Sequence, residues 1–189
     1  MSVPHPRLAG PRVLLVPATH DLAGAVVDAR DPAPPLAALG LVAGPGWPHA
    51  GTADALRPHA EHGDPGEAAD VWLVVDGDAV VGECGLTGQP DDDGDQEIGY
   101  GLAPMARGRG LATEAVAVLC TWLEQQPEVH RVVAEVEVGN EASQRLLARL
   151  GFAPEPATPP YERWGRGQRL RRPVLRTLPA GHVPGRHVC

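Results

Sequence analysis

Two glycines and two arginines alternate in the segment ARGRGLATEA, residues 106–115. An apolar run precedes this segment and an amphipathic pattern follows it, so it is expected at the start of a helix. Glycine lets the backbone approach a ligand closely, and the first amides of a helix point outwards at its positive end. Arg107 and Arg109 add full positive charges. The combination is typical of a site for an anion such as a pyrophosphate.

Two other phosphate-binding loops do not fit this segment. The P-loop requires a lysine after its second glycine, and all sixteen basic residues of this chain are arginine. A dinucleotide-binding pattern would begin at Gly108 and needs glycine or alanine at position 113, which is Thr113. From the residues alone, the alternative that this helix start binds nothing stays open.

The composition favours one domain and argues against a generally basic nucleic-acid surface. The chain has 189 residues, of which 43% are hydrophobic, and a formal charge of −8. Residues 1–156 hold nine arginines and 23 acids, whereas residues 157–189 hold seven arginines and one acid. We expect the basic end to form a last strand and a solvated tail; contact with RNA is the less favoured alternative.

The sequence predicts neither a metal site nor a membrane segment. The acidic loop 91–95 does not match an EF-hand, and His59 and His62 lack further ligands. No window resembles a membrane helix, and residues 1–10 lack the apolar stretch of a signal peptide, so a cytoplasmic location is expected. Three cysteines lie far apart without a CxxC pair, which argues against a disulfide framework: Cys84, Cys120 and Cys189.

The elements that must position the glycine-rich segment alternate between strands and helices. The periodicity predicts strands at 12–17, 71–75, 79–86, 97–103 and 131–138, and helices at 21–29, 52–61, 110–126 and 141–150. Asp76-Gly77-Asp78 is expected to form the turn of a hairpin. The strand 131–138 has an apolar residue at every second position from Val132 to Val138, and these residues are expected on a buried face. The charged residues are expected to be exposed: Arg131, Glu135 and Glu137. The sum is an α+β single domain.

Three motifs follow one another between residues 97 and 152. They are EIGY at 97–100, then Pro104 with RGRGLATEA at 107–115, then Asn140-x-x-Ser143 with LGF at 150–152. Their order and spacing resemble the GCN5-related N-acetyltransferases (GNAT), and among these the branch that acetylates N-terminal amines of ribosomal proteins. The N-terminal half and the tail resemble the family only by position.

The resemblance implies an α+β fold whose mixed, mostly antiparallel central sheet splays between two parallel strands and is flanked by helices. Strands 97–103 and 131–138 would be the splayed pair. Acetyl-CoA, the acyl donor, would lie in the slot between them, and no metal is implied. Its pantetheine arm would contact the backbone near Leu102, and its pyrophosphate would lie on the loop residues Arg107, Gly108, Arg109, Gly110, Leu111 and Ala112.

The resemblance also implies roles in a direct transfer to an amine that enters from the other side. Glu97 matches a strand glutamate that is a general base in some members; the alternative is a glutamate that faces solvent or binds a cationic acceptor. Asn140 matches the asparagine that contacts pantetheine, and it also suits an ordinary helix N-cap. Ser143, one turn later, is expected to lie at the same part of the donor and to donate to the departing sulfur, unless it faces solvent.

One position departs from the family's pattern. Many relatives place a tyrosine general acid four residues after the serine, where this chain has Leu147. Ser143, another tyrosine such as Tyr161, or no dedicated acid would then serve the leaving thiolate. Glu114 is expected to complement the helix dipole rather than to act as a catalyst.

These observations predict an acetyl-CoA-dependent N-acetyltransferase acting on a primary amine of a small molecule or a protein N-terminus. The alternative is a non-catalytic acyl-CoA-binding sensor or partner domain, which Leu147 favours slightly. The acidic body would attract cationic acceptors. We expect a flexible N-terminus at 1–10, one domain at 11–177 and a mobile tail at 178–189. The acceptor's identity and the oligomeric state stay open, although a homodimer suits the family.

Overall fold

Residues 5–64 and 68–167 are described by the computed structural model. The chain order within these ranges is β1 (Leu8–Ala9), β2 (Val13–Thr19), α1 (His20–Val27), α2 (Ala33–Ala38), β3 (Val42–Ala43), α3 (Thr52–His62), β4 (Ala68–Asp76), β5 (Ala79–Thr87), β6 (Asp95–Leu102), a 3₁₀ turn (Pro104–Ala106), α4 (Leu111–Leu123), β7 (Arg131–Glu137), α5 (Glu141–Arg149), β8 (Ala153–Glu155) and β9 (Tyr161–Gly167). The predicted helices and strands are present, with ends that differ by a few residues.

The strands form one mixed sheet in the order β1-β2-β4-β5-β6-β7-β9-β8, with β3 paired to β5. Most neighbours are antiparallel, whereas β6 and β7 are parallel. The parallel ladder joins only three residue pairs, from Asp95–Arg131 to Glu97–Val133. Beyond these pairs β6 continues to Leu102 and β7 to Glu137 without pairing to each other. The predicted α+β fold, with a sheet that splays between these two strands, is confirmed.

Helices cover both faces of the sheet. Trp72 and Val74 of β4 point into a core that is closed by α4 and α5. Leu73 and Val75 of the same strand point into a second core, beneath α1, α2 and α3. A strand that is buried on both faces is apolar throughout, which explains the continuous run VWLVV.

Local signals place the turns and helix ends as predicted. The hairpin between β4 and β5 turns at Gly77, whose φ is +70°. The Asn140 side chain caps α5 by accepting a hydrogen bond of 3.2 Å from the backbone N–H of Ser143. Gly151 follows the end of α5 with a φ of +80°, a backbone conformation that favours glycine.

The predicted exposure of Arg131 is wrong, because this side chain is only 3% exposed. Its Nη2 donates to Oε1 of Glu155 at 2.7 Å, and its Nε lies 3.5 Å from Oδ1 of Asp95. Arg163 reaches the other oxygen of Asp95 at 3.0 Å. The sequence pattern assumed a strand with a solvated face, whereas β7 lies inside the sheet and these four charged groups cover its start.

The other charged residues of β7, Glu135 and Glu137, are exposed, as predicted. Val138 is 58% exposed rather than buried, because β7 ends one residue before it. Cys84 and Cys120 are buried in the core, while Cys189 lies outside the described residues.

The chain ends are described only in part. Residues 8–9 pair with β2, and the His5 ring stacks near Trp72, so this part of the segment predicted to be flexible contacts the sheet. The predicted tail at 178–189 lies outside the described residues. Among those residues, no helix has both the length and the apolar character to cross a membrane.

Replacement of Arg131 tests the charged network at the start of the splay. Arg131→Met keeps most of the side chain's packing but leaves Asp95 and Glu155 without their buried partner, so we expect a loss of about 3 kcal/mol in unfolding free energy. Arg145→Met is the control, because Arg145 pairs with Glu141 on the exposed surface of α5. Its loss should be about 0.5 kcal/mol or less. Equal losses in urea unfolding would contradict the assignment.

Candidate active site

The glycine-rich segment forms an exposed loop that leads into α4. Gly108 and Gly110 have φ values of +76° and +80°, and Gly110 is the N-cap of the helix, with no side chain to cap it. A helix provides no carbonyl acceptors for its first amides, so the backbone N–H groups at the start of α4 are available to a ligand. The predicted loop therefore has the backbone geometry of an anion site.

The two arginines of the loop are less free than the sequence suggests. Arg107 donates through Nε to the carbonyl oxygen of Leu102 at 3.0 Å. Arg109 forms an ion pair of 2.8 Å with Asp76, at the end of β4. These contacts fix the loop to β6 on one side and to the hairpin on the other. The Arg107 hydrogen bond also joins Leu102 directly to the loop, and both are predicted to contact the acyl donor.

Sequence reasoning did not find a third arginine at this loop. Arg12, just before β2, donates through Nη1 to the carbonyl oxygen of Arg109 at 3.0 Å and through Nε to Glu114 at 2.9 Å. Glu114 also accepts from the backbone N–H of Val13 at 3.0 Å. Although burial raises the pKa of Glu114, these hydrogen bonds hold it below the usual value. Glu114 ties α4 to β2, which agrees with a structural rather than a catalytic role.

The slot opens where β6 and β7 separate. Tyr100 and Leu102 lie on the part of β6 that does not pair with β7, after the last β6–β7 pair at Glu97. Across the slot, β7 leads into α5, where Asn140 is the exposed N-cap and Ser143 is half-buried in the first turn. The loop precedes α4, and α4 packs against α5. The predicted donor-binding residues therefore lie along the slot and at the adjoining end of α4.

Side chains of β6 alternate between the two faces of the sheet. Ile98, Tyr100 and Leu102 belong to the core beneath α4 and α5. Glu97 therefore points to the opposite face, the side of α3. It is half-buried, and its pKa is raised by burial and then by repulsion from Glu135, while Arg163 opposes the rise. Both effects favour proton uptake, which suits a base that must accept a proton near neutral pH.

A groove of about 580 Å³ lies on this opposite face, between α3 and the strands β4, β5 and β6. Its floor includes Gly85, Gly99 and Gly101, which add no side chains to the groove. No arginine is among the described residues that line it. Its carboxylates and imidazoles are those of His49, Asp54, His59, His62, Asp70 and Glu83, and Cys84 and Tyr100 also border it.

A buried carboxylate that the sequence analysis missed anchors one end of this groove. Glu83 is 3% exposed and accepts hydrogen bonds from Nε1 of Trp47 at 3.1 Å and from the hydroxyl of Thr52 at 3.2 Å. Nε2 of His49 lies 2.8 Å from its other oxygen. Burial raises the pKa of Glu83 despite these three partners. The available signal was a single charged residue inside the apolar run AVVGECGL.

The structure bears on the missing general acid at three positions. Leu147, which stands where many relatives have tyrosine, is completely buried in the core. A tyrosine at this position would fit only if the surrounding core repacked. Tyr161 pairs with Glu137 in the β7–β9 ladder and is 44% exposed. Ser143 is the predicted candidate that lies beside the slot. The catalytic roles of Glu97 and Ser143 stay predictions.

The comparison with protein families gives a match over residues 12–153 to the acetyltransferase (GNAT) domain. The chain belongs to the GNAT acetyltransferase family. It is 34% identical over 97 residues to the uncharacterized N-acetyltransferase YjdG of Bacillus subtilis, which is 50% of this chain and 58% of YjdG. It is also 34% identical over 58 residues to the ribosomal protein uS5 alanine N-acetyltransferase of Escherichia coli, which is 31% of this chain and 30% of that enzyme.

A solved structure of RimL, a ribosomal L7/L12 α-N-protein acetyltransferase in complex with coenzyme A, has the same fold. It superposes with a TM-score of 0.56 over 82% of this chain and 94% of RimL, at 16% identity. The chain spans about half the length of the curated GNAT relatives it matches. The fold and the family predicted from the three motifs are confirmed.

Two glycines on the floor of the groove give a paired test of its geometry. A Cβ at Gly101 would lie 2.8 Å from Cε1 of His49 and 3.3 Å from Oε1 of Glu83, whereas a Cβ at Gly99 would meet only Thr87, at 3.9 Å. We expect Gly101→Ala to lower the unfolding free energy by about 1–3 kcal/mol. Gly99→Ala should change it by less than about 0.5 kcal/mol. Thermal unfolding of both variants checks this, and an undisturbed Gly101→Ala would show that His49 does not occupy this position.

Proposed function

We propose that this protein is an acetyl-CoA-dependent N-acetyltransferase that moves an acetyl group directly to a primary amine. The observation that carries the proposal is the continuity of two features, the slot between β6 and β7 and the exposed amides at the start of α4. A long thioester donor that ends in a pyrophosphate fits both features. Membership of the GNAT family supports acetyl transfer in general.

The donor's phosphates would be held by the amides at 108–112 and by the positive end of α4. Arg107 and Arg109 are held in place by Leu102 and Asp76, so the charges beside the loop are pre-oriented. Asn140 would contact the pantetheine arm at the far side of the slot while it caps α5. Bound acetyl-CoA would supply the thioester that is transferred.

Two groups on opposite faces of the sheet would assist the transfer, one by accepting the amine's proton and the other by stabilising the leaving sulfur. Glu97, on the α3 face of β6, would take the proton of the attacking amine, directly or through a water molecule. Ser143, in the first turn of α5, would face the slot and donate a hydrogen bond to the departing sulfur. Since the two groups approach from opposite faces, neither competes for the other's proton.

The acceptor is proposed to be a cationic amine that enters through the groove. The groove carries carboxylates and imidazoles, and its described lining has no arginine that would repel such a ligand. A small polyamine, an aminoglycoside or a protein N-terminus meets this requirement. The ribosomal-protein enzymes among the relatives support the last of these.

Calorimetric titration with acetyl-CoA tests the donor site. A Cβ at Gly108 meets nothing within 4 Å, so Gly108→Asp adds a negative charge to the loop without a clash. We expect the dissociation constant of acetyl-CoA to rise at least tenfold, which is a loss of about 1.4 kcal/mol of binding free energy. Gly40→Asp is the matched control, because Gly40 has a φ of +75° and equally open surroundings and lies after the end of α2, outside the loop. Equal affinity in both variants would contradict the assigned phosphate site.

Release of CoA in the presence of an amine panel tests turnover and the role of Glu97. The panel contains a polyamine, an aminoglycoside and short peptides with free N-termini. With an amine that is acetylated, Glu97→Gln should lower kcat/KM by about a hundredfold. Glu135→Gln removes the repulsion that helps to raise the pKa of Glu97, so the acidic limb of the pH–rate profile should move to lower pH. A limb that stays in place would exclude Glu97 as the base.

The second candidate is a non-catalytic acyl-CoA sensor, which the buried Leu147 at the family's tyrosine position favours. The same two experiments separate it from the enzyme. Tight binding of acetyl-CoA with no release of CoA across the whole panel would support the sensor. Absence of acetyl-CoA binding by the folded protein would contradict both candidates.

A further inference from the structure

The floor of the groove is bare backbone between two carboxylates. On the face of the sheet that α3 covers, three successive residue pairs join β5 to β6: Glu83–Gly101, Gly85–Gly99 and Thr87–Glu97. All of these residues except Glu97 line the groove, and Glu97 adjoins it as the partner of Thr87. The middle pair has no side chain, so one carboxylate lies at each end of an open stretch of sheet.

Neither the backbone nor the packing of the fold requires glycine at position 99. Gly99 has no positive φ, and a Cβ there would meet only Oγ1 of Thr87, at 3.9 Å. Gly85 differs, because a Cβ at that position would clash with the backbone of Asp70. Glycine inside a strand weakens it and often marks a place where a ligand approaches the backbone closely. The missing side chain at Gly99 therefore keeps the middle of the groove open.

Glu83 is a buried carboxylate that has no cationic partner in the described part of the chain. Trp47 and Thr52 are neutral donors to its Oε2. Its one ion-pair contact within those residues is Nε2 of His49, 2.8 Å from Oε1. Nδ1 of His49 accepts a hydrogen bond of 3.2 Å from the backbone N–H of Gly51, so the ring is neutral and carries its proton on Nε2. A buried charge is costly unless an opposite charge accompanies it, and the ammonium group of a ligand would supply one.

We propose that the acceptor is a linear diamine or polyamine, with one ammonium group bound to Glu83 and the reacting amine beside Glu97. Its carbon chain lies over the Gly85–Gly99 pair, where no side chain obstructs it. Oε1 of Glu83 receives the ammonium, because this oxygen lies on the floor of the groove, 3.3 Å from the position of a Cβ at Gly101. Glu83 therefore selects the acceptor and is not the base. This inference rests on the proposed acetyl transfer and narrows its acceptor.

The register of the two strands sets the length of the acceptor. Glu83 and Thr87 are four residues apart on β5, which separates the two carboxylate levels by about 13 Å along the strand. An ammonium nitrogen lies about 2.8 Å from the oxygen that binds it, so the two nitrogens of the acceptor would be about 7–13 Å apart. An extended chain advances by about 1.25 Å per bond, so a chain of about five to nine carbons fits.

Only the amine beside Glu97 reacts. The ammonium loses one proton to Glu97, which passes it to solvent, and the nitrogen then forms a bond to the thioester carbonyl carbon. The carbon–sulfur bond breaks with its electron pair left on sulfur, and the sulfur takes the second surplus proton of the nitrogen. The resulting amide is neutral and cannot replace an ammonium on Glu83. We therefore expect singly acetylated products, which mass spectrometry identifies.

Kinetics with unbranched diamines, from diaminopropane to diaminodecane, test the inference when each is compared with the monoamine of equal chain length. We expect kcat/KM of the best diamine to exceed that of its monoamine at least tenfold, because only the diamine carries the second charge. Glu83→Gln keeps the shape of the side chain but removes its charge, so this ratio should fall to about one. Glu61→Gln is the matched control, because Glu61 lies on α3 outside the lining of the groove and pairs with Arg57. It should keep the ratio of the unmodified protein.

Gly99→Val tests the open floor independently, even if Glu83→Gln does not fold. It fills the middle of the groove, so kcat/KM for the best diamine should fall at least tenfold while the dissociation constant of acetyl-CoA stays the same. Equal kcat/KM for diamines and monoamines, or a ratio that persists in Glu83→Gln, overturns the inference, as does Gly99→Val with unchanged diamine kinetics. Acetylation of peptides or of an aminoglycoside, with none of the diamines, overturns the inference and leaves the proposed function intact. If no amine in the panel releases CoA, the proposed function fails as well.

Discussion

The short parallel contact between β6 and β7 is the constraint on which the rest of this structure depends. Only three residue pairs join the two strands, and the buried charges of Arg131 and Asp95, with the half-buried Glu155 and Arg163, hold them together at one end. Such a network stabilises the contact only while every member keeps its partner. Because pairing between them stops after Glu97, the strands separate, and the edges of the slot are formed by backbone that has no partner across the slot, while β6 still pairs with β5 and β7 with β9.

The sheet divides the site between its two faces. Alternation along β6 places Glu97 on the face of the sheet that α3 covers and packs the Tyr100 side chain against the core beneath α4 and α5. The amine and the thioester are thereby proposed to approach from opposite sides and to meet at the slot. The same strand carries Gly99 and Gly101 on the groove side, where Glu83 and His49 leave no room for a side chain at Gly101. Helix α4 completes the arrangement, because Arg12 and Glu114 hold its first turn against β2.

Features that depend on neighbours in the chain could be predicted from the sequence, and features that depend on distant partners could not. The loop at 107–112, the hairpin and the Asn140 cap follow from local residue types, and the structure has all three. The Arg12–Glu114 contact joins residues that are 102 positions apart, and the Trp47–Glu83 contact joins residues that are 36 apart, so no local pattern predicts either. Arg131 was assigned to an exposed face because alternation does not show that β7 is central in its sheet. The groove is built by the packing of α3 against three strands, so no local pattern in the sequence predicted its lining.

Amide hydrogen exchange with and without acetyl-CoA tests the central claim, that the slot and the start of α4 form one donor site. The account predicts slower exchange on binding in the backbone amides of 108–113 and in the part of β6 near Leu102 that does not pair with β7. The hairpin turn at Gly77, which no part of the donor is proposed to reach, should exchange at the same rate in both samples. Protection confined to other elements, or no protection at all under saturating acetyl-CoA, would contradict the account.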